Sequence, residues 1–113
     1  MILVVAKLYE IPGKERLSFY DTGMAVGNLV TQAIELGLNT HQMGGFSAEK
    51  AREKLHIPEG YEPITVMAVG YPGSPETLPD HLRERELAPR VRKTFDEFVF
   101  EGGWGQATPD AEA

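Results

Sequence analysis

Two stretches of the chain are unbroken apolar runs, and a longer stretch between them repeats at helical spacing. ILVVAKLY (2–9) and ITVMAVGY (64–71) are rich in β-branched residues and read as buried strands. A buried strand needs a neighbour on each side, which is notable for a run at the start of this sequence. In SFYDTGMAVGNLVTQAIELGLNT (18–40), Met24, Val26, Leu29, Val30, Ala33, Ile34 and Leu36 recur at intervals of three and four. That spacing predicts a helix over 18–36, with Ser18 and Asp21 as a variant capping box and Gly37 as the stop. Charge is confined to Asp21 near the start and Glu35 near the end, so the helix is apolar around most of its circumference. It should be buried on most sides. Gly23 and Gly27 lie four apart on one face, each costing about 1 kcal/mol relative to alanine in a helix interior. Either a tight helix–sheet contact within the chain or a second helix, from another subunit, would account for them.

The remaining elements are shorter. Ser47 is placed to N-cap a helix over 48–56, with Glu49 favourable in its first turn. EIPGKER, IPEGYEP and the proline-rich PGSPETLP read as loops, and DHLRERELA as one or two helical turns. TFDEFVF (94–100) carries Phe95, Phe98 and Phe100 and reads as a strand or an extended arm. The expected organisation is one domain over 1–106 followed by a flexible acidic tail, 107–113.

Composition narrows the class of partner. The chain has 113 residues, 42% apolar and 25% charged, an ordinary globular mixture. A net charge of −6 argues against a nucleic-acid backbone or an anionic membrane as the main partner. There is no cysteine, which removes disulfides and thiolate metal sites and fits a cytoplasmic location. The apolar runs are far short of a membrane span, and MILVVA lacks the cationic start of a signal peptide.

Candidate chemistry is sparse. Gly44 and Gly45, in HQMGGFSAEK, directly precede a helix start, where backbone N–H groups lack intrahelical partners and attract electron-rich atoms. Two glycines in succession admit a flat ligand against the main chain, although most such pairs only make turns. No G-x-G-x-x-G fingerprint follows a strand. Arg83, Arg85, Arg90, Arg92 and Lys93 form a basic cluster in an acidic protein: a solvated face, or a clamp for phosphate through the bidentate guanidinium. His41, His56 and His81 have no metal-ligand spacing, and His41 is expected to be a hydrogen-bonded loop residue. No Ser-His-Asp set or paired carboxylates stand out.

Taken in order, YDTGMAVGNLVTQAIELGL, THQMGGFSAEKAREKLHIPEGYEPITVMAVGYPG and LRERELAPRVRKTFDEFVFEGGWG resemble the C-terminal half of a nitroreductase-family flavoprotein, over about 2–106. The resemblance implies an α+β fold with a central mixed sheet and a long buried helix, an obligate homodimer, and FMN at the dimer interface. It places Met43, Gly44 and Gly45 beside the flavin, with main-chain N–H of Gly44 or Gly45 donating toward N5 and O4, which stabilises the electron-rich reduced ring. It matches Arg83 and Arg85 to the pair that holds the FMN phosphate, the helix 18–36 to the helix at the dimer interface, and 95–100 to an arm that reaches the partner's sheet. The family's N-terminal half, which supplies further phosphate and ribityl contacts, has no counterpart here, so a truncated domain is expected. The implied function is FMN-dependent oxidation of NAD(P)H with reduction of nitroaromatic, quinone or related acceptors. The flavin carries the chemistry, with no side chain as acid, base or nucleophile. The alternative is a dimeric structural or interaction module without redox activity.

Overall fold

The computed structural model describes residues 1–106; the segment 107–113, expected to be a flexible acidic tail, lies outside the described residues. The elements run β1 (Ile2–Lys7), α1 (Glu15–Glu35), β2 (Asn39–Met43), α2 (Ala48–Leu55), β3 (Tyr61–Gly70) and α3 (Asp80–Leu87). Short 3-10 turns occur at Pro75–Thr77 and Phe95–Glu97. The chain divides into two compact units, Met1–Gly73 and the part from Ser74 onward. The class is α+β, as expected.

The sheet belongs to the first unit and has the order β1-β3-β2. Both ladders are antiparallel, from Ile2 opposite Met67 to Lys7 opposite Tyr61, and from Asn39 opposite Gly70 to Met43 opposite Val66. The expectation of a mixed sheet is therefore corrected. β1 and β2 run parallel to each other, but β3 sits between them, so no parallel ladder forms. The β1–β3 register shifts between Val4 and Val5, where Val4 faces Thr65 and Val5 faces Pro63. Pro63 has no N–H to donate, and it lies in the part of β3 that pairs with β1 alone, where a ladder tolerates proline best.

β1 is an edge strand among the described residues, and of its six residues Ala6 alone is buried. The buried, two-sided strand expected over 2–9 is thus corrected: apolar character alone does not distinguish an edge from a centre. The strand also stops early. The Tyr9 N–H donates to the buried Ser18 Oγ at 2.8 Å, and the Tyr9 hydroxyl donates to Asp21 Oδ2 at 2.5 Å. Ser18 and Asp21 therefore do not cap α1, which begins three residues earlier at Glu15 with Lys14 as N-cap and no side-chain cap bond. They bind the β1–α1 loop to the side of the helix instead.

α1 is long but not buried. It rests against β1 and β2. Ser18 and Ala33 are buried, and Thr22, Val26 and Val30 are half-buried, a single stripe at helical spacing. Leu17, Phe19, Tyr20, Met24, Leu29 and Ile34 are exposed, Tyr20 and Ile34 to about two-thirds. A Cβ added at Gly23 or Gly27 would meet no heavy atom within 4 Å, so no helix–sheet contact inside the chain requires either glycine. The helix ends as expected. Gly37 N–H bonds to Ile34 O at 2.9 Å and Leu38 N–H to Ala33 O at 2.8 Å, the paired bonds of a Schellman motif, with Gly37 at φ +72°.

α2 packs on β3, and its Ser47 cap accepts the Lys50 N–H at 3.2 Å. Arg52 secures it by donating to Pro58 O at 3.2 Å and pairing with Glu62 on β3 at 2.9 Å. This surface pair contributes about 0–1 kcal/mol. The core of the unit is thin: Ala6, Ala33, Pro63 and Met67 are its buried apolar residues, and Met67 fills the middle with no exposure.

In the second unit, the stretch expected to form a strand or extended arm is neither. The Glu97 carboxylate closes the Phe95–Glu97 turn: Oε2 accepts the Thr94 N–H at 2.8 Å and the Thr94 hydroxyl at 3.1 Å, and Glu97 N–H returns to Thr94 O at 3.1 Å. Phe95 stacks on Phe98 at 5.6 Å and Phe100 on Trp104 at 5.1 Å between ring centroids. The sequence T-F-D-E carries the capping-box pattern, and it prevails over the partial alternation of the phenylalanines.

Because Gly37 holds a left-handed conformation at the end of α1, Gly37→Ala should lower stability by about 1–2 kcal/mol. The measurement is the midpoint of urea unfolding, which should fall with no change in slope.

Candidate functional site

β2 ends at Met43, and the two residues after it leave the sheet before Ser47 starts α2. Met43 is half-buried at the last rung of the ladder, opposite Val66, and Gly44 and Gly45 are exposed. Phe46 N–H turns back to Gly44 O at 3.0 Å. Beyond that last rung, neither Gly44 N–H nor Gly45 N–H donates to a protein acceptor among the described residues.

Neither glycine is required by the chain itself. Their φ angles lie outside the left-handed region, and a Cβ built on either would meet nothing within 4 Å. A positive φ at Gly45 is therefore not the reason for glycine there. What the geometry offers is an uncrowded, exposed strip of main chain whose two glycine N–H groups have no protein acceptor among the described residues, open to a flat, electron-rich ligand edge.

The strip is held from behind by a residue that the sequence pattern did not single out. Thr65, on β3, donates its hydroxyl proton to Met43 O at 2.9 Å. Val66 O, at 3.5 Å, is a much weaker competitor for the same proton. The available signal was a lone hydroxyl residue inside the apolar run ITVMAVGY.

The basic residues behave differently from one another. Arg83 and Arg85 lie on α3, in the second unit, two residues apart and so about 200° apart around the axis. Arg83 is engaged by acidic neighbours, with Asp80 Oδ1 at 2.7 Å and Glu76 Oε2 at 3.8 Å. Arg85 has no ion pair among the described residues. Arg90, Arg92 and Lys93 follow α3 in an irregular, exposed segment. The geometry thus brings Met43, Gly44 and Gly45 together as one strip, whereas the two arginines of α3 point to different sides of their helix.

Two further places carry groups of chemical interest. His41, expected in a loop, lies in β2 opposite Ala68, because the strand extends from Asn39 across it. Around the β1–α1 loop, Tyr9, Ile11, Lys14, Leu17, Tyr20 and Asp21 line an open groove of about 400 Å³. The hydrogen bond to Asp21, reinforced by its charge, raises the Tyr9 phenol above its ordinary pKa. Among the described residues no cluster of three His, Asp or Glu side chains could hold a metal, and no helix is long and apolar enough to cross a membrane.

The chain is similar to several known proteins. The model of the Nitroreductase family matches residues 1–71. An uncharacterized 15.4 kDa protein in the ask 5′ region of Mycolicibacterium smegmatis is 33% identical over 105 residues, covering 93% of this chain and 71% of that protein. The crystal structure of an oxidoreductase containing FMN superposes with a TM-score of 0.78 at 30% identity, over 90% of this chain and 54% of that one. The fold is shared with a nitroreductase family protein from Clostridium novyi NT (24% identity, TM-score 0.54, 93% of this chain and 51% of that one). It is also shared with one from Streptococcus pneumoniae TIGR4 (21% identity, TM-score 0.59, 81% and 42%). The chain spans about half the length of the solved structures it matches. With the family model covering more than half of its residues, and a relative one-third identical over nearly all of it, the chain belongs to the nitroreductase family.

Proposed function

We propose that the protein is an FMN-dependent oxidoreductase whose flavin lies against the Met43-Gly44-Gly45 strip. The observation that carries this reading is the pair of Gly44 and Gly45 N–H groups without a protein acceptor among the described residues, in an exposed stretch where no φ angle or contact requires glycine. The residues present fit a flavin: main-chain donors would meet its electron-rich edge, and the absence of side chains at 44 and 45 lets a planar ring approach. Bound FMN would supply the redox chemistry, taking hydride from NAD(P)H and delivering electrons to a nitroaromatic, a quinone or a related acceptor. The chain's own part is to hold the ring edge, favour its electron-rich form and keep the other side accessible. The FMN-containing relative at 30% identity supports the choice of cofactor.

The phosphate is assigned to Arg85, whose guanidinium has no acidic partner among the described residues, with Arg83 held back by Asp80 and Glu76. A homodimer belongs to the same proposal. The exposed face of α1 carries Tyr20, Met24 and Ile34 beside Gly23 and Gly27, apolar surface that a second copy would bury. In this reading the chain corresponds to the C-terminal half of the larger family members, and a complete flavin site draws on more than this strip.

Flavin titration followed by fluorescence quenching tests the assignment. Parent protein should bind FMN. Gly45→Val should abolish binding, because its side chain fills the space of the ring edge, while Gly44→Ala and Gly45→Ala should leave stability within about 0.5 kcal/mol. Arg85→Ala should weaken FMN by about 1.5–3 kcal/mol, and Arg90→Ala by less. Tight FMN binding by Gly45→Val would reduce the glycines to a turn, and equal affinities for the two arginine variants would remove Arg85 from the phosphate. A colourless parent that never quenches FMN would favour the non-redox module. Light scattering on the same samples should give a dimer mass at micromolar concentration; a compact monomer would contradict the second copy on α1.

A further inference from the structure

We propose that the β1–α1 loop, residues 8–14, is a strap that opens and closes beside α1 without unfolding of the sheet, and that the Tyr9 side chain is its clasp. Neither property depends on a bound flavin. Six residues line the groove of about 400 Å³, three from each side: Tyr9, Ile11 and Lys14 from the loop, and Leu17, Tyr20 and Asp21 from the helix. The loop is one wall of the groove and α1 is the other. Whatever holds the loop to the helix sets the width between them.

Burial does not hold the strap. Leu8 is half-buried, and residues 9–14 are all exposed. At one end Leu8 N–H is tied to Gly60 O at 2.8 Å; at the other Gly13, at φ +79°, donates to Glu15 Oε1 at 3.3 Å. Between them Glu10, Ile11 and Pro12 make no hydrogen bond to the helix or the sheet among the described residues. Tyr9 makes the two bonds that remain, from its N–H to the buried Ser18 Oγ at 2.8 Å and from its hydroxyl to Asp21 Oδ2 at 2.5 Å. The hydrogen bond to Asp21 and the Asp21 charge raise the Tyr9 phenol above its ordinary pKa, so the hydroxyl keeps its proton and goes on donating at neutral pH. A segment with few buried contacts and few anchoring bonds opens at a lower free energy than the ladders beside it. Opening carries Tyr9, Ile11 and Lys14 away from Leu17, Tyr20 and Asp21 and widens the groove.

Native-state amide hydrogen exchange, followed by NMR on the full chain, reads the strap directly, since the Tyr9 N–H is protected while it is bonded to Ser18. In the parent the Tyr9 amide, relative to its unstructured rate, should exchange at least about tenfold faster than the best-protected amides of the sheet. Tyr9→Phe and Asp21→Ala each remove the clasp and leave the Ser18 bond. Each should speed exchange at residue 9 by a further factor of about 3–10, with the sheet amides unchanged. The double variant should be no faster than either single one, because the two side chains share one bond.

Protection of the Tyr9 amide equal to that of the sheet overturns the proposal, since the loop would then open only when the whole unit unfolds. So does unchanged exchange at residue 9 in both single variants, which would leave the hydroxyl bond with no holding role. Losses that add in the double variant also overturn it, because the two side chains would then act separately. Loss of protection across the sheet, or failure of either single variant to fold, would make Tyr9 and Asp21 supports of the entire unit rather than a clasp.

Discussion

The two-sided pairing of β3 is the constraint on which the first unit depends. A central strand must satisfy backbone donors and acceptors on both edges, and β3 does so with β1 over Tyr61–Met67 and with β2 over Val66–Gly70. The two ladders are offset along it and overlap only near Met67, the residue with no exposure. This offset determines where β2 stops. Beyond Val66 toward the start of β3, that edge no longer pairs with β2, and the chain after Met43 turns away as two glycines. The candidate site is thus a product of ladder length.

The same economy is visible at α1. The helix lies on the sheet through a stripe of small and β-branched residues, from Ser18 to Ala33, while its larger apolar side chains face outward. In a thin core, small residues permit close approach of helix to sheet. The β1–α1 loop is attached to that helix by Tyr9, whose N–H and hydroxyl are both received by α1 side chains, so the loop's route is specified by two bonds rather than by burial.

Charge is distributed by local neighbours. Arg83 lies three residues from Asp80, on the adjoining turn of the same helix face, and the pair forms as helical spacing dictates. Arg85 is rotated away from that face. Two arginines that look equivalent as letters therefore differ in availability, and the difference is set by the acidic residues around each.

Several features were legible without the fold because they depend on neighbours in sequence. The helix stop at Gly37, the Ser47 cap, the two apolar strands and the glycine pair ahead of α2 all follow from local backbone preferences, and the order of segments carried the family resemblance. The features that were not legible depend on residues distant in sequence. Whether β1 is an edge or a centre depends on which strand inserts between β1 and β2. Ser18 and Asp21 read as a cap because a cap is the local use of such residues; their actual partner, Tyr9, is brought to them by the path of the loop. Thr65 was one hydroxyl in an apolar run until the β2–β3 register placed it against Met43, 22 residues away. Sequence by itself determined the two apolar strands, most of α1, the two shorter helices and the glycine strip, and missed β2. Tertiary structure decided which strand the strip follows and what lies beside it, because the β2–β3 register joins residues distant in sequence.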